Sequence, residues 1–345
     1  MTTRRGVAIG CGGTLGFAWT AVALDAVERA LGWDLRTAEV LVGTSAGAEL
    51  VGALGSGRSP ADLLAALDGA PGADPVLARH VSVDPGKIPP LPGIGLPGLG
   101  LIGAGVRAVS AYTALAGFLP RGRGDASWLR EYGAAIAPNG WVDHPNTWLV
   151  AADAATGKRV AFGANPPLHA GATADDIGAK AATAGGGAVV GSPAPGTPAV
   201  DLGEAIAASW AIPGWFPPVR IGGRGYLDGG AVSSVSADLL VSLALDEVVI
   251  VAPMTSEGGA PATGLNRVER LLRAQMTRGL DREVALLRAA GTRVIRVEPG
   301  QEDLAAMGPN FMDFARRAST LATARRTAPR RVAAAIRVSN EGENR

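Results

Sequence analysis

The chain has 345 residues, 47% of them hydrophobic, with 32 basic and 31 acidic side chains and a net charge of +1. That length can bury a large core in one or two domains, and the near-neutral balance leaves no global field for nucleic acid or a membrane. A single cysteine excludes an internal disulfide framework and suits a reducing compartment.

The chain opens on Arg4-Arg5 and an apolar stretch that mimics a signal peptide. Glycines at 10, 12, 13 and 16 interrupt it, and the pattern is instead a strand at 7–10, a glycine loop, and a helix at 17–31 whose apolar stripe ends at Gly32. The expectation is a non-exported, cytoplasmic protein with no transmembrane helix. Backbone N–H groups in such a loop, reinforced by the helix dipole, bind a phosphate or a developing oxyanion. The dinucleotide fingerprint fails at Leu15, and no Gly-Lys-Ser/Thr follows to make a phosphate loop. Cys11 has no histidine paired with it in sequence, and small-residue packing accounts for it.

Next come a strand at 39–42, Gly43-Thr44-Ser45-Ala46-Gly47, and a helix at 46–54. This is a nucleophile elbow, a serine on a tight strand-to-helix turn flanked by small residues. The histidines are His80, His144 and His169, none in the last half of the chain, so a Ser, acid, His order is excluded. They show no metal spacing and read as surface or hydrogen-bonded residues. If Ser45 is a nucleophile, its base is best sought in Asp228 of Asp228-Gly229-Gly230, where the glycines leave room beside the carboxylate.

A helix is expected at 61–67, and then the composition breaks. Residues 88–106 are uncharged and rich in proline and glycine, too broken for a membrane helix. They read as a connecting insertion or an apolar flap over the cleft, with a helix at 108–119 in the same cap, 88–120. Strands follow at 148–152 and 159–162, then a Gly/Pro-rich surface loop at 185–198. Helices are expected at 204–211, 237–245 and 268–290, with strands at 247–252 and 293–297. Residues 311–337 carry seven arginines and one acid. Arg316/Arg317 and Arg325/Arg326 fall on opposite sides of a helix that Pro329 is expected to break, so a solvated helix is the reading. Alternating strands and helices predict an α/β fold with a central, mostly parallel sheet flanked by helices. Ser45 then stands at a strand's carboxyl end, where open α/β sheets place ligands.

With its glycine loop at 11–16, its elbow at 43–47, the segment Ala207-Ala208-Ser209-Trp210-Ala211-Ile212-Pro213 and Asp228-Gly229-Gly230 in order, the sequence resembles the patatin-like phospholipases over roughly residues 6–300. It departs from the family pattern at Cys11, Leu15, Ser234 and Ser236. The resemblance implies a Ser-Asp dyad of Ser45 and Asp228, an oxyanion hole of Gly12, Gly13 and Thr14, and supporting glycines at Gly16, Gly43, Gly47, Gly229 and Gly230. It implies a patatin-like acyl hydrolase domain over 1–338 with a polar tail at 339–345, and no metal or organic cofactor. The implied partner is a lipid or acyl ester substrate, met by peripheral membrane contact, with no nucleic acid. A thioesterase or acyltransferase using the same dyad, and a catalytically silent lipid- or protein-binding member, stay open. An aspartate near its ordinary pKa of about 3.9 is a feeble base at neutral pH, so the site should raise it by burial or use it to orient the hydroxyl.

Overall fold

A computed structural model describes residues 3–90, 122–164, 200–256 and 266–343, with 259, 262 and 264 between the last two stretches. The expected cap at 88–120, except for 88–90, and the loop at 185–198 lie outside the described residues.

The core is one mixed, mostly parallel sheet of eight strands. Strands β1 (Arg5–Ile9), β2 (Val40–Thr44), β3 (Thr147–Asp153), β7 (Glu247–Val251) and β8 (Arg293–Val297) are parallel, in the order β3-β2-β1-β7-β8. Strands β4 (Arg159–Phe162) and β6 (Arg224–Asp228) pair antiparallel with β3, and β5 (Val219–Ile221) closes that edge against β6.

The parallel strands are mostly apolar at their centres, as burial on both faces favours, and alternate residues feed two cores. Val7, Ile9, Val249 and Val251 face a layer made by α1 (Gly13–Leu31), α2 (Ala46–Gly55) and α9 (Arg317–Glu343). Ala8, Val248 and Ile250 face the 3₁₀ segment Ala237–Leu243 and α7 (Asn266–Ala289). The remaining helices are α3 (Pro60–Leu67), α4 (Pro75–Ser82), α5 (Ser127–Ile136), α6 (Leu202–Ser209) and α8 (Gln301–Met307). No helix among the described residues is long and apolar enough to cross a membrane.

Two expectations are corrected. In place of the helix expected at 237–245 there is a 3₁₀ segment, Ala237–Leu243, that stops at Ala244 in the left-handed region, with φ of 48°. Pro329 does not break the last helix, which continues to Glu343. A mid-helix proline costs about 3 kcal/mol, but Pro329 lies on the exposed side. Arg325, whose carbonyl loses its partner, is exposed too, so water can replace the missing donor. Burial of Leu321, Ala324, Ala328 and Val332 holds the helix together, so it is amphipathic and not solvated all round.

The β5–β6 hairpin was not anticipated, although Gly222-Gly223, with φ of 56° and 78°, is the two-residue turn such hairpins favour. The first helix begins at Gly13, four residues before the expected start, so the glycine loop runs straight into it.

Elbow packing is close enough to test. A Cβ on Gly47 would overlap the Ile9 carbonyl at the end of β1, whereas one on Gly279 of α7 would meet nothing within 4 Å. Gly47→Ala should lower unfolding free energy by at least about 2 kcal/mol. Gly279→Ala should be neutral or stabilising by up to about 1 kcal/mol. Urea titration of both variants decides this, and equal midpoints would disprove the close packing.

Candidate active site

Three strand ends build the site. Ile9 of β1 is in register with Gly43 of β2, so the glycine loop and the elbow leave neighbouring parallel strands at one level. On β3, Thr44 pairs with Val150 and Asp228 pairs with Ala151, the next residue along. Strand β3 thus sets Asp228 beside the end of β2, and Gly229 packs against the Val150 carbonyl and the Thr44 methyl. Ser45 has φ of 57°, ψ of −121°, a conformation costly for a residue with a Cβ. It caps α2, with its side chain 1% exposed.

Asp228 is buried, and one carboxylate oxygen accepts the Gly230 N–H at 2.7 Å. Burial penalises its charged form and pushes its pKa up to about 7, against the lowering effects of the Ser45 hydroxyl and of the Gly230 N–H, which donates to the carboxylate. Desolvation is the largest cause of that rise. Cys11 Sγ would lie 3.1 Å from a Cβ on Gly230, so the thiol borders the same carboxylate. Burial and the Asp228 charge push that thiol well above its ordinary range, which leaves it a poor nucleophile.

A cavity lies over these groups. Its polar side is Gly12, Gly13, Ser45, Asp228 and Gly230 with Cys11; its apolar side includes Ile212, Met254, Leu272, Met276 and Phe311. Gly12 caps α1 and Gly13, with φ of 55°, begins it. A Cβ on Gly13 would lie 2.5 Å from the Phe311 ring, so glycine is required there for both conformation and space.

The Cys11 N–H is taken by the Ser234 carbonyl at 2.8 Å and the Leu15 N–H by the Phe311 carbonyl at 3.0 Å. Between them, the N–H groups of Gly12, Gly13 and Thr14 have no backbone acceptor among the described residues. The positive ends of α1 and α2 therefore converge on the cavity. Thr14 lines a separate cavity with Phe17, Glu49 and His80. Leu15 is fully buried in the core, and the Ser234 carbonyl anchors the loop.

Sequence reasoning missed the supports. The Ser209 hydroxyl accepts the Ser45 N–H at 2.8 Å and donates to the Val150 carbonyl at 2.6 Å, tying the elbow to β3. The neighbouring Trp210 donates its indole N–H to buried Glu49, one turn beyond Ser45 on α2. The other Glu49 oxygen meets His80 Nε2 at 2.5 Å, and the His80 ring stacks on Tyr132 at 3.7 Å between centroids. Adjacent residues at the end of α6 therefore grip α2 at its cap and at its first turn. His80 is a buried, hydrogen-bonded histidine outside the Ser45 cavity. His144 bonds Thr147 and the Ala38 carbonyl, and His169 lies outside the described residues.

Ser209→Ala would leave the buried Ser45 N–H unsatisfied and remove a donor from Val150. It should cost about 1–3 kcal/mol of stability in denaturant unfolding. Ser209→Thr keeps the hydroxyl and should recover most of that loss. Unchanged stability in the alanine variant would show that the elbow needs no such tie.

The family model described as "Patatin: Patatin-like phospholipase" matches residues 108–241, which include Ser209, Trp210 and Asp228 but begin after the elbow and the glycine loop. No curated protein matches the chain. The α/β architecture, a mostly parallel sheet between helical layers, is consistent with the patatin-like fold. Over residues 108–241 the chain is thus similar to the patatin-like phospholipases.

Proposed function

We propose that the protein is a serine acyl hydrolase that cleaves fatty acyl esters, of phospholipid or neutral lipid, with Ser45 as nucleophile and Asp228 as base. The observation that carries this reading is a buried carboxylate one register step from the elbow, lining the same cavity as Ser45.

Ser45 Oγ attacks the ester carbonyl while its proton passes to Asp228, and the carbonyl oxygen takes the negative charge. The Gly12 and Gly13 N–H groups at the positive end of α1 stabilise that oxyanion. Collapse of the tetrahedral intermediate expels the alcohol, which takes the proton from Asp228 and leaves an acyl-serine. Water then attacks the acyl-serine, giving its proton to Asp228. Collapse of this second intermediate releases the fatty acid and returns that proton to Ser45. The apolar side of the cavity, with Met254, Leu272, Met276 and Phe311, suits an acyl chain. The match to patatin-like phospholipases supports the lipid character of the substrate.

Asp228 must be charged to accept a proton. Hydrolysis of a soluble short-chain ester should therefore be low in acid and rise through a single ionisation near pH 7. Ser45→Ala and Asp228→Asn should each reduce turnover by at least about 1000-fold. A profile flat from pH 5 to 9, or an active Asp228→Asn, would remove Asp228 from the base role.

The same shift has a stability consequence of defined sign. A carboxylate whose pKa is raised on folding is penalised progressively as pH rises from about 4 to about 7. Asp228→Asn should accordingly melt above the parent protein at pH 8, and the gap should close near pH 4. A variant less stable than the parent at pH 8 would contradict the desolvated carboxylate.

A further inference from the structure

Three large hydrophobic side chains stand out into solvent among the described residues: Ile88, Leu271 and Val338. Two of them lie next in sequence to residues that line the Ser45 cavity or bond to a neighbour of its wall. Leu271, 71% exposed, adjoins Leu272 on α7, and Leu272 lines the cavity. Ile88, 74% exposed, adjoins Lys87, whose carbonyl accepts the Asn310 side-chain N–H at 2.7 Å, and the next residue, Phe311, lines the cavity. Leu271 is thus one residue from the cavity wall, and the Ile88 segment is tied to it through Asn310.

The charges beside them share a sign. Arg267, Leu271, Ala274 and Arg278 are exposed and fall at intervals of four, three and four residues, one stripe of α7. Among the described residues, Arg267 and Arg278 have no ion-pair partner. The carboxylates on that helix are occupied: Glu269 pairs with Arg270 and Arg273, Asp281 with Arg296, and Glu283 accepts from Ser233 and Ala237. Lys87 adds an exposed cation beside Ile88, with Asp84 the nearest acid in sequence. Apolar side chains projecting among unpaired cations match an anionic lipid surface, whose headgroups take the charges while its acyl region takes the leucine and isoleucine.

We propose that the α7 stripe Arg267–Leu271–Arg278, together with Lys87 and Ile88, docks the protein on an anionic bilayer with the Ser45 opening facing the lipid. The proposal rests on the acyl hydrolase reading for its purpose, but its test does not require turnover. None of the five residues contacts Ser45 or Asp228.

The test is co-sedimentation of full-length Ser45→Ala protein, which leaves the lipid intact, with vesicles of phosphatidylglycerol and phosphatidylcholine or of phosphatidylcholine alone. Binding should favour the anionic vesicles and weaken with added salt. The pair Arg267→Glu and Arg278→Glu should weaken it at least about tenfold, as should the pair Leu271→Ser and Ile88→Ser. In the parent background the same pairs should leave soluble-ester hydrolysis unchanged. Absence of vesicle binding, equal binding to both vesicle types, or binding indifferent to both pairs would overturn the docking face. So would a parallel loss of soluble-ester hydrolysis in a folded double variant, since that would place these residues in the catalytic centre. If the parent hydrolyses no ester while Ser45→Ala still binds anionic vesicles through these residues, the hydrolase reading fails and the docking surface stands.

Discussion

The structure depends on the register of β3. One of its edges meets the end of β2 at Val150 and the end of β6 at Ala151, so two segments distant in sequence arrive side by side. A shift of one residue in either pairing would turn its side chains to the opposite face. The elbow adds a second constraint, because Ser45 occupies a backbone conformation that its Cβ disfavours. The surroundings hold it there: Ser209 takes its N–H, Gly47 lets α2 close onto β1, and Glu49 secures the first turn to Trp210 and His80.

Burial links that scaffold to chemistry. A carboxylate withdrawn from water resists ionisation, and desolvation at Asp228 outweighs the hydrogen bonds that favour the charged form. The stability lost by enclosing this carboxylate is the source of its basicity near neutral pH. Two helix N-termini converge on the same cavity and favour negative charge there, a field suited to an oxyanion. The apolar wall of methionines, Leu272 and Phe311 completes a cavity of mixed character, polar at the reacting atoms and apolar beyond them.

Much of this was legible in the sequence wherever function rests on short, local backbone geometry. The glycine loop, the elbow and Asp228-Gly229-Gly230 each announce a turn that only small residues permit, and the missing late histidine directs attention to an aspartate. Strands β4 and β8 fall on their expected residues, short runs rich in β-branched side chains or aromatics. The supports were not legible. Ser209 acts by meeting a backbone N–H from a distant segment, and no local pattern encodes that meeting. Glu49 reads as an ordinary helical carboxylate until the fold buries it against Trp210 and His80. Pro329 carries a local signal for a break, which tertiary burial of the opposite helix face overrides.

The central claim is that Ser45 is a nucleophile activated by Asp228, and covalent labelling tests it most directly. A fluorophosphonate probe, followed by peptide mass spectrometry, should place a single adduct on Ser45, formed much more slowly in Asp228→Asn and absent from Ser45→Ala. An adduct on another residue, or an Asp228→Asn protein labelled as fast as the parent at pH 8, would contradict the account.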